Sequence, residues 1–432
     1  MFRCLYANAE GELLDHPGLT MLGRSGMDWV EPEAAEMIPL PQGASLVSIP
    51  GRAPAGVDEG GCAALAADPF IPDREATAVA ALLPQGFTRT LYPAYTSMDR
   101  AIALPLLGYA AIGLKNERIY VAAVQTDAHR QWHPRYFNTE GLPRRVDKLK
   151  RRMPDNGIVR QLAHCSLQYG CFTAQNIFYG RWEGGIPVSR SCNADCIGCI
   201  SEDHPEVAAP QQRLKTAPTA DEVAELGLWH LQNARDPIIS FGQGCEGEPA
   251  LQAPLLAAAI RRIRERCDRG TINMNTNAGY TKGIKALCDA GIDSLRISMF
   301  SAREQYYDYY HRPRDYGLND VKHSLDYARR RGIKLALNLL LFPGFQDRPA
   351  ETAALIKLMR DHDIGMLQLR NLNIDPDRLF AGIDNDEAAQ GVTTFLCAVQ
   401  EALPEVEIGN YSRPAPLREG KAPHHPQAKE EL

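Results

Sequence analysis

The stretch SRSCNADCIGCIS, residues 189–201, sets Cys192, Cys196 and Cys199 at the spacing CxxxCxxC. Thiols so close together point to a metal centre or to redox chemistry. A disulfide framework is a poor alternative: the 432-residue chain holds an odd number of cysteines, eleven, and its start, MFRCLYANAEGELLDHP, has no apolar run behind a basic segment. A cubane cluster has four irons, so three thiolates leave one iron open to chelate a small molecule through amino and carboxylate groups. A second arrangement is open to the same cysteines. His204 follows Cys199 with four residues between, so Cys192, Cys196, Cys199 and His204 could close a tetrahedral Cys3His zinc site.

Outward from the triplet, apolar β-rich runs alternate with amphipathic stretches. The candidate strands are IPVS (186–189), PIISFG (237–242), TINMNT (271–276), SLRISMF (294–300), KLALNLLLF (334–342) and GMLQLRNL (365–372). Helical patterns fill 221–233, 250–267, 281–290, 317–331 and 349–362. In the second of these, Leu255, Leu256, Ala259, Ile260 and Ile263 form one apolar stripe. Strand and helix in alternation predict a parallel sheet with right-handed crossovers. The reading is an α/β protein with a partial (β/α)6 TIM-like barrel over 181–375. The triplet leaves its first strand at the face where such barrels build sites.

Further polar groups fall at the ends of successive strands. SFGQGCEGEP (240–249) follows the second strand and contains Gly247, Glu248 and Pro249; glycines here let main chain approach a ligand closely. Asn275 and Asn277 in NMNTNAG lie two apart, on one side of the third strand. Arg296 and Ser298 in LRISM do the same on the fourth. FPGFQD (342–347) ends the fifth. Turn formation accounts for the Gly-Pro clusters equally well, capping for the asparagines, and a structural acid could pair Arg296.

Taken together, residues 185–375 resemble the radical S-adenosylmethionine (SAM) superfamily, whose signature is CxxxCxxC in this loop of a partial barrel. The resemblance implies an enzyme in which Cys192, Cys196 and Cys199 hold a [4Fe-4S] cluster. Its open iron binds SAM, and reductive cleavage releases a 5′-deoxyadenosyl radical that abstracts hydrogen from a substrate. It further implies SAM contacts from the backbone of Gly247, Glu248 and Pro249, from Asn275 and Asn277 to ribose, from Ser298, from Arg296 as a carboxylate clamp, and from the 342–347 turn to adenine. Many members carry an aromatic residue just before the third cysteine, where this chain has Gly198. No residue is assigned as catalytic acid or base, and a reductant protein such as flavodoxin or ferredoxin is an expected partner.

The flanks say less. Residues 1–180 read as a mixed α/β accessory domain that caps the barrel or recruits substrate. Within it, RRVDKLKRR (144–152) carries six basic residues against one acid, a solvated helix face or a docking surface. The 376–415 segment reads as a helix (386–402) and a short strand, and 416–432 as a disordered tail rich in Pro and charge. Cys165, Cys171 and Cys245 stand near the barrel, and Cys245 falls inside the glycine-rich loop. The substrate expected is a peptide or small molecule. A net charge of −6 gives no general pull toward nucleic acid, and the absence of eighteen consecutive apolar residues argues for a cytoplasmic protein. The rival reading is a non-enzymatic Cys3His zinc module that binds nucleic acid or a protein partner.

Overall fold

A computed structural model describes residues 1–65, 67–71, 74–98, 102–128 and 130–415; the expected tail lies outside them. The seven strands of one parallel sheet run in chain order: β1 (Arg181–Gly185), β2 (Arg235–Phe241), β3 (Thr271–Thr276), β4 (Ser294–Met299), β5 (Lys334–Leu341), β6 (Met366–Asn371) and β7 (Glu407–Gly409). Sequential pairing of this kind is the signature of an open β/α barrel. The sheet has one strand more than expected, because the short VEIGNY run pairs in parallel with β6.

β1 also begins earlier than IPVS. Ile186 N–H still donates to Ser240 O, but Pro187 has no N–H, and the amides of Val188 and Ser189 are taken by the Glu246 carboxylate. The ladder therefore ends at the first residue of the predicted strand.

Eleven α-helices are described. Three precede the barrel: α1 (Leu142–Arg152), α2 (Gly157–Gln168) and α3 (Phe172–Tyr179). Leu142, Val146, Leu149, Leu162 and Ile177 belong to the same apolar core as the barrel strands, so the helical part of the first 180 residues packs with the barrel. The basic run lies on α1, whose opposite face supplies that core. Between strands come α4 (Ala220–Asn233), α5 (Ala253–Arg264), α6 (Thr281–Ala290), α7 (Glu304–His311), α8 (Leu318–Arg330) and α9 (Pro349–Asp361); α10 (Pro376–Phe380) and α11 (Val392–Ala402) follow β6. Local chemistry sets these ends. Thr219 and Glu222 form a capping box on α4, and Gly291 closes α6 at φ 106°.

Residues 1–125 form a twelve-stranded sheet and a three-stranded one, without an α-helix among the described residues. This β-domain seats on the exit of β6. Arg52 pairs with Asp375 at 3.2 Å, both buried, and Leu104 N–H donates to the same carboxylate. Arg24 pairs with Asp377 at 2.6 Å. The fully buried Arg89 donates to the carbonyls of Tyr109 and Leu372 and stacks over Tyr92. Gly26 meets the 342–347 turn, where its N–H donates to Pro343 O and a Cβ on Gly344 would fall 1.9 Å from Gly26 N.

Two predictions follow from burial. Asp375→Ala leaves the Arg52 charge buried without its partner, and urea unfolding should show a loss of about 3–5 kcal/mol. His230 is fully buried with Nε2 on the Trp182 carbonyl at 2.8 Å. Burial depresses its pKa from 6.5 to about 4. A depressed imidazole contributes stability that is present above the unfolded value and lost as pH falls toward the folded one. Between pH 6.5 and 4 wild type should lose about 3 kcal/mol more stability than His230→Gln, measured by denaturant titration at each pH.

Candidate cluster and nucleotide site

Cys192, Cys196 and Cys199 lie on the loop after β1 and line a cavity of about 400 Å³ at the C-terminal ends of the strands. Gly247, Glu248 and Pro249 line it too, as do Asn275, Asn277, Arg296 and Ser298 from β3 and β4 and the turn between them. All ten residues singled out in the sequence thus share one space.

The glycine-rich loop is held flush against the cysteine loop. Gly247 N–H donates to Ser189 O and Glu248 N–H to Ser191 O, each at 2.9 Å. A Cβ on Gly247 would sit 2.1 Å from Ser191 O, so only glycine permits the contact. Glu248 acts as a strut: its buried carboxylate accepts from Ala250 N–H, Thr276 Oγ1 and Asn277 N–H at 2.6–2.9 Å. Asn277 Nδ2 donates to Asn193 Oδ1 at 2.8 Å, between the first two cysteines, while its Oδ1 accepts from Gly279 N–H.

Glu246 was not anticipated as a site residue. Its buried carboxylate accepts four backbone N–H groups, from Val188, Ser189, Gly242 and Gln243. Burial pushes it up to about 7 against those donors. The signal was present as CEGE, but nothing local distinguishes which glutamate turns inward.

Arg296 lines the cavity, yet its fork is already engaged. It pairs with buried Glu183 at 2.8 Å and donates to Asn275 Oδ1, Gln368 Oε1 and Ser412 Oγ. The structural acid has taken the side chain expected to clamp a carboxylate. Burial works against the Glu183 carboxylate, but Arg296 and Ser240 hold it below its usual range. Asn275 also donates to Gly242 O at 3.0 Å. Ser298 pairs in register with Asn338 on β5. Asn338 Oδ1, Gln243 Nε2 and His311 Nε2 are buried in the cavity wall with no hydrogen-bond partner, as expected of groups that meet a ligand. The 342–347 turn is spent on Gly26 of the β-domain and is not among the cavity-lining residues.

The thiols suit a metal cluster. Burial first and Glu248 second push Cys192 up to about 11, and burial raises Cys196 well above the ordinary thiol value. Deprotonating them requires a neighbouring cationic centre, which bound iron supplies. Outer donors are in place: Arg213 Nη2 lies 3.8 Å from Cys199 Sγ, Ser201 Oγ 3.5 Å from the same sulfur, and His311 Nδ1 3.5 Å from Cys196 Sγ. Neither Arg213 nor His311 carried a motif. The zinc arrangement finds no support, because His204 Nε2 engages the Cys199 carbonyl at 3.1 Å. Among the described residues no three His, Cys, Asp or Glu side chains converge tightly enough for a single ion. Cys245 is buried in the same barrel core as Cys165, and the neighbouring Cys165 thiol together with burial raises its pKa well above the ordinary thiol value.

Comparison with known proteins agrees with this geometry. The profile of the Radical SAM superfamily matches residues 186–356, so this stretch is a radical SAM domain; enzymes of that superfamily use a [4Fe-4S] cluster and SAM. It is 27% identical over 188 residues to a GTP 3′,8-cyclase of Limosilactobacillus fermentum, covering 42% of this chain and 51% of that one. It is 26% identical over 194 residues to the GTP 3′,8-cyclase of Chlorobaculum tepidum, covering 44% and 53%. The chain spans about half the length of the curated relatives it matches. A radical SAM methyltransferase from Sphaerobacter thermophilus aligns with a TM-score of 0.40 at 15% identity, over 54% of this chain and 66% of that one.

Gly247→Ala tests the flush contact. The added methyl must displace the segment leading to Cys192, so stability should fall by about 1–3 kcal/mol, and iron bound after anaerobic reconstitution should drop with it.

Proposed function

We propose that this chain is a radical SAM enzyme acting on a small molecule or peptide, with Cys192, Cys196 and Cys199 as cluster ligands. The observation that carries the reading is the meeting of the three thiols with Gly247, Asn275 and Ser298 around one cavity that also holds unpartnered buried polar atoms. When bound, the cluster and SAM supply an electron to the sulfonium and a 5′-deoxyadenosyl radical that takes hydrogen from the substrate.

The chain's own groups have separate tasks. Asn338 Oδ1 can accept and Gln243 Nε2 can donate, so the two can orient hydroxyl or amino groups placed between them. Ser298 adds a hydroxyl beside Asn338. Glu246 and Glu248 accept hydrogen bonds that hold the glycine-rich loop against its neighbours. Arg370 lines the far wall beside Asn371 and Leu372, where burial lowers its pKa to about 10 and leaves it charged. The barrel walls exclude water, which protects a reactive carbon centre. The two curated relatives are named for cyclising GTP, which supports the small-molecule side of the substrate reading. Electrons come from a reductant protein of the flavodoxin or ferredoxin kind. Among the described residues no helix is long and apolar enough to cross a membrane.

Anaerobic reconstitution with iron and sulfide tests the proposal. Wild type should turn brown, bind about four irons per chain and form 5′-deoxyadenosine from SAM under dithionite. Cys196→Ala should stay soluble and lose both properties. Stoichiometric zinc without iron or sulfide, and no SAM cleavage, would reject the enzyme.

A further inference from the structure

Helix α7, EQYYDYYH, has no counterpart among the predicted helices, and its last turn lies along the cysteine loop. Main-chain hydrogen bonds lace the two together. Ile197 N–H donates to Tyr310 O at 3.0 Å, Asp195 N–H to His311 O at 3.1 Å, and Arg314 N–H to Asn193 O at 3.0 Å; Ala194 forms a β-bridge with Pro313. Arg312 ends the helix at φ 45°, which turns the chain back along the loop. Backbone contacts therefore fix where Tyr310 and His311 stand relative to Cys196 and Cys199.

Gly198 sits between those two cysteines. A Cβ built on it would lie 2.7 Å from Tyr310 Oη and 3.4 Å from the ring carbon Cε2. The room a side chain at 198 would need is already filled. Tyr310 is buried, lines the cavity, and stacks on Phe300 with centroids 4.6 Å apart; Phe300 stacks on Phe345 at 4.7 Å. This aromatic column also contacts Ile197 and Leu372, so it joins the cysteine loop to the exit of β6. Burial first, then the neighbouring Cys196 and Cys199 thiols, raise the Tyr310 phenol well above its ordinary value.

We propose that Tyr310 is the outer wall of the cluster site, a ring delivered from α7 into the room left by Gly198 that closes the Cys196–Cys199 side to water and small solutes. The inference rests on the cluster reading above. An apolar layer around a metal centre controls the access of solvent, and with it the lifetime of the metal–thiolate bonds. A ring from a neighbouring helix does this without adding bulk to the loop that carries the ligands, and its position is held by the Phe300–Phe345 stack instead of by the loop.

The test measures iron release from the reconstituted holoprotein to a ferrous chelator, bathophenanthroline disulfonate, alongside iron content at the start. Tyr310→Ala should release iron about tenfold faster or more, while Tyr310→Phe, which keeps the ring, should match wild type. Gly198→Phe alone should load less iron, because its ring competes with Tyr310 for the same space. The pair Gly198→Phe with Tyr310→Ala should recover both loading and slow release, and it decides the matter if Tyr310→Ala folds poorly. Release from Tyr310→Ala at the wild-type rate, or a double variant no better than Gly198→Phe, would overturn the proposal. If wild type takes up no iron and sulfide at all, the cluster reading fails instead.

Discussion

The close approach of Gly247 to Ser191 is the contact on which the site depends. A sheet edge and a loop of thiols become one rigid unit only if two main chains can touch, and any Cβ at position 247 would occupy the space of a carbonyl oxygen. Two carboxylates then complete the unit from either side. Glu246 gathers four amides from the ends of β1 and β2, and Glu248 ties the same loop to the end of β3. Buried acids are costly unless their lone pairs are met. Here six backbone amides and the Thr276 hydroxyl meet them, which explains how two glutamates can stand so close to three thiols.

The other wall of the cavity is set from outside the barrel. Asn371, Leu372 and Asn373 line it, and the β-domain holds that segment through Arg89 and the backbone of Phe87, to which Asn371 Nδ2 donates at 3.0 Å, while Arg52 holds the following Asp375. Arginines are suited to this, since a planar fork satisfies several carbonyls at once while its charge is shared among them. The accessory domain thus positions part of the cavity rim. The turn after β5 belongs to the same interface, where Gly344 and Gly26 let two chains come into contact.

Motif and spacing made much of the site legible. Cys192, Cys196, Cys199 and Gly247 could be named because each depends on the local chain: thiols at short spacing, and a glycine where a backbone must pass. Strand positions such as Asn275 and Ser298 could be placed on the inner side from the period of two. Arg296 shows where that reasoning stops. Its direction was readable, but its partner Glu183 lies 113 residues away, and only folding showed that the fork was engaged. Arg213, His311 and Tyr310 carried no local pattern, and CEGE did not tell which glutamate turns inward, since the value of these residues comes from what they face. Helix α7 was missed for a related reason: an eight-residue run with four tyrosines has weak intrinsic helicity and is held by its packing against the cysteine loop.

Alternation of apolar strands with amphipathic helices, and three sulfurs within eight residues, determined by themselves that this chain builds an open β/α barrel with a loop of three thiols at the end of its first strand. These are short-range properties, governed by periodicity and by side-chain chemistry at neighbouring positions. The tertiary structure alone decided which polar groups remain open to a ligand, which are consumed as struts, and which ring fills the space beside Gly198. Those outcomes depend on distances between residues far apart in the chain, and burial assigns each polar atom to the nearest partner that can satisfy it.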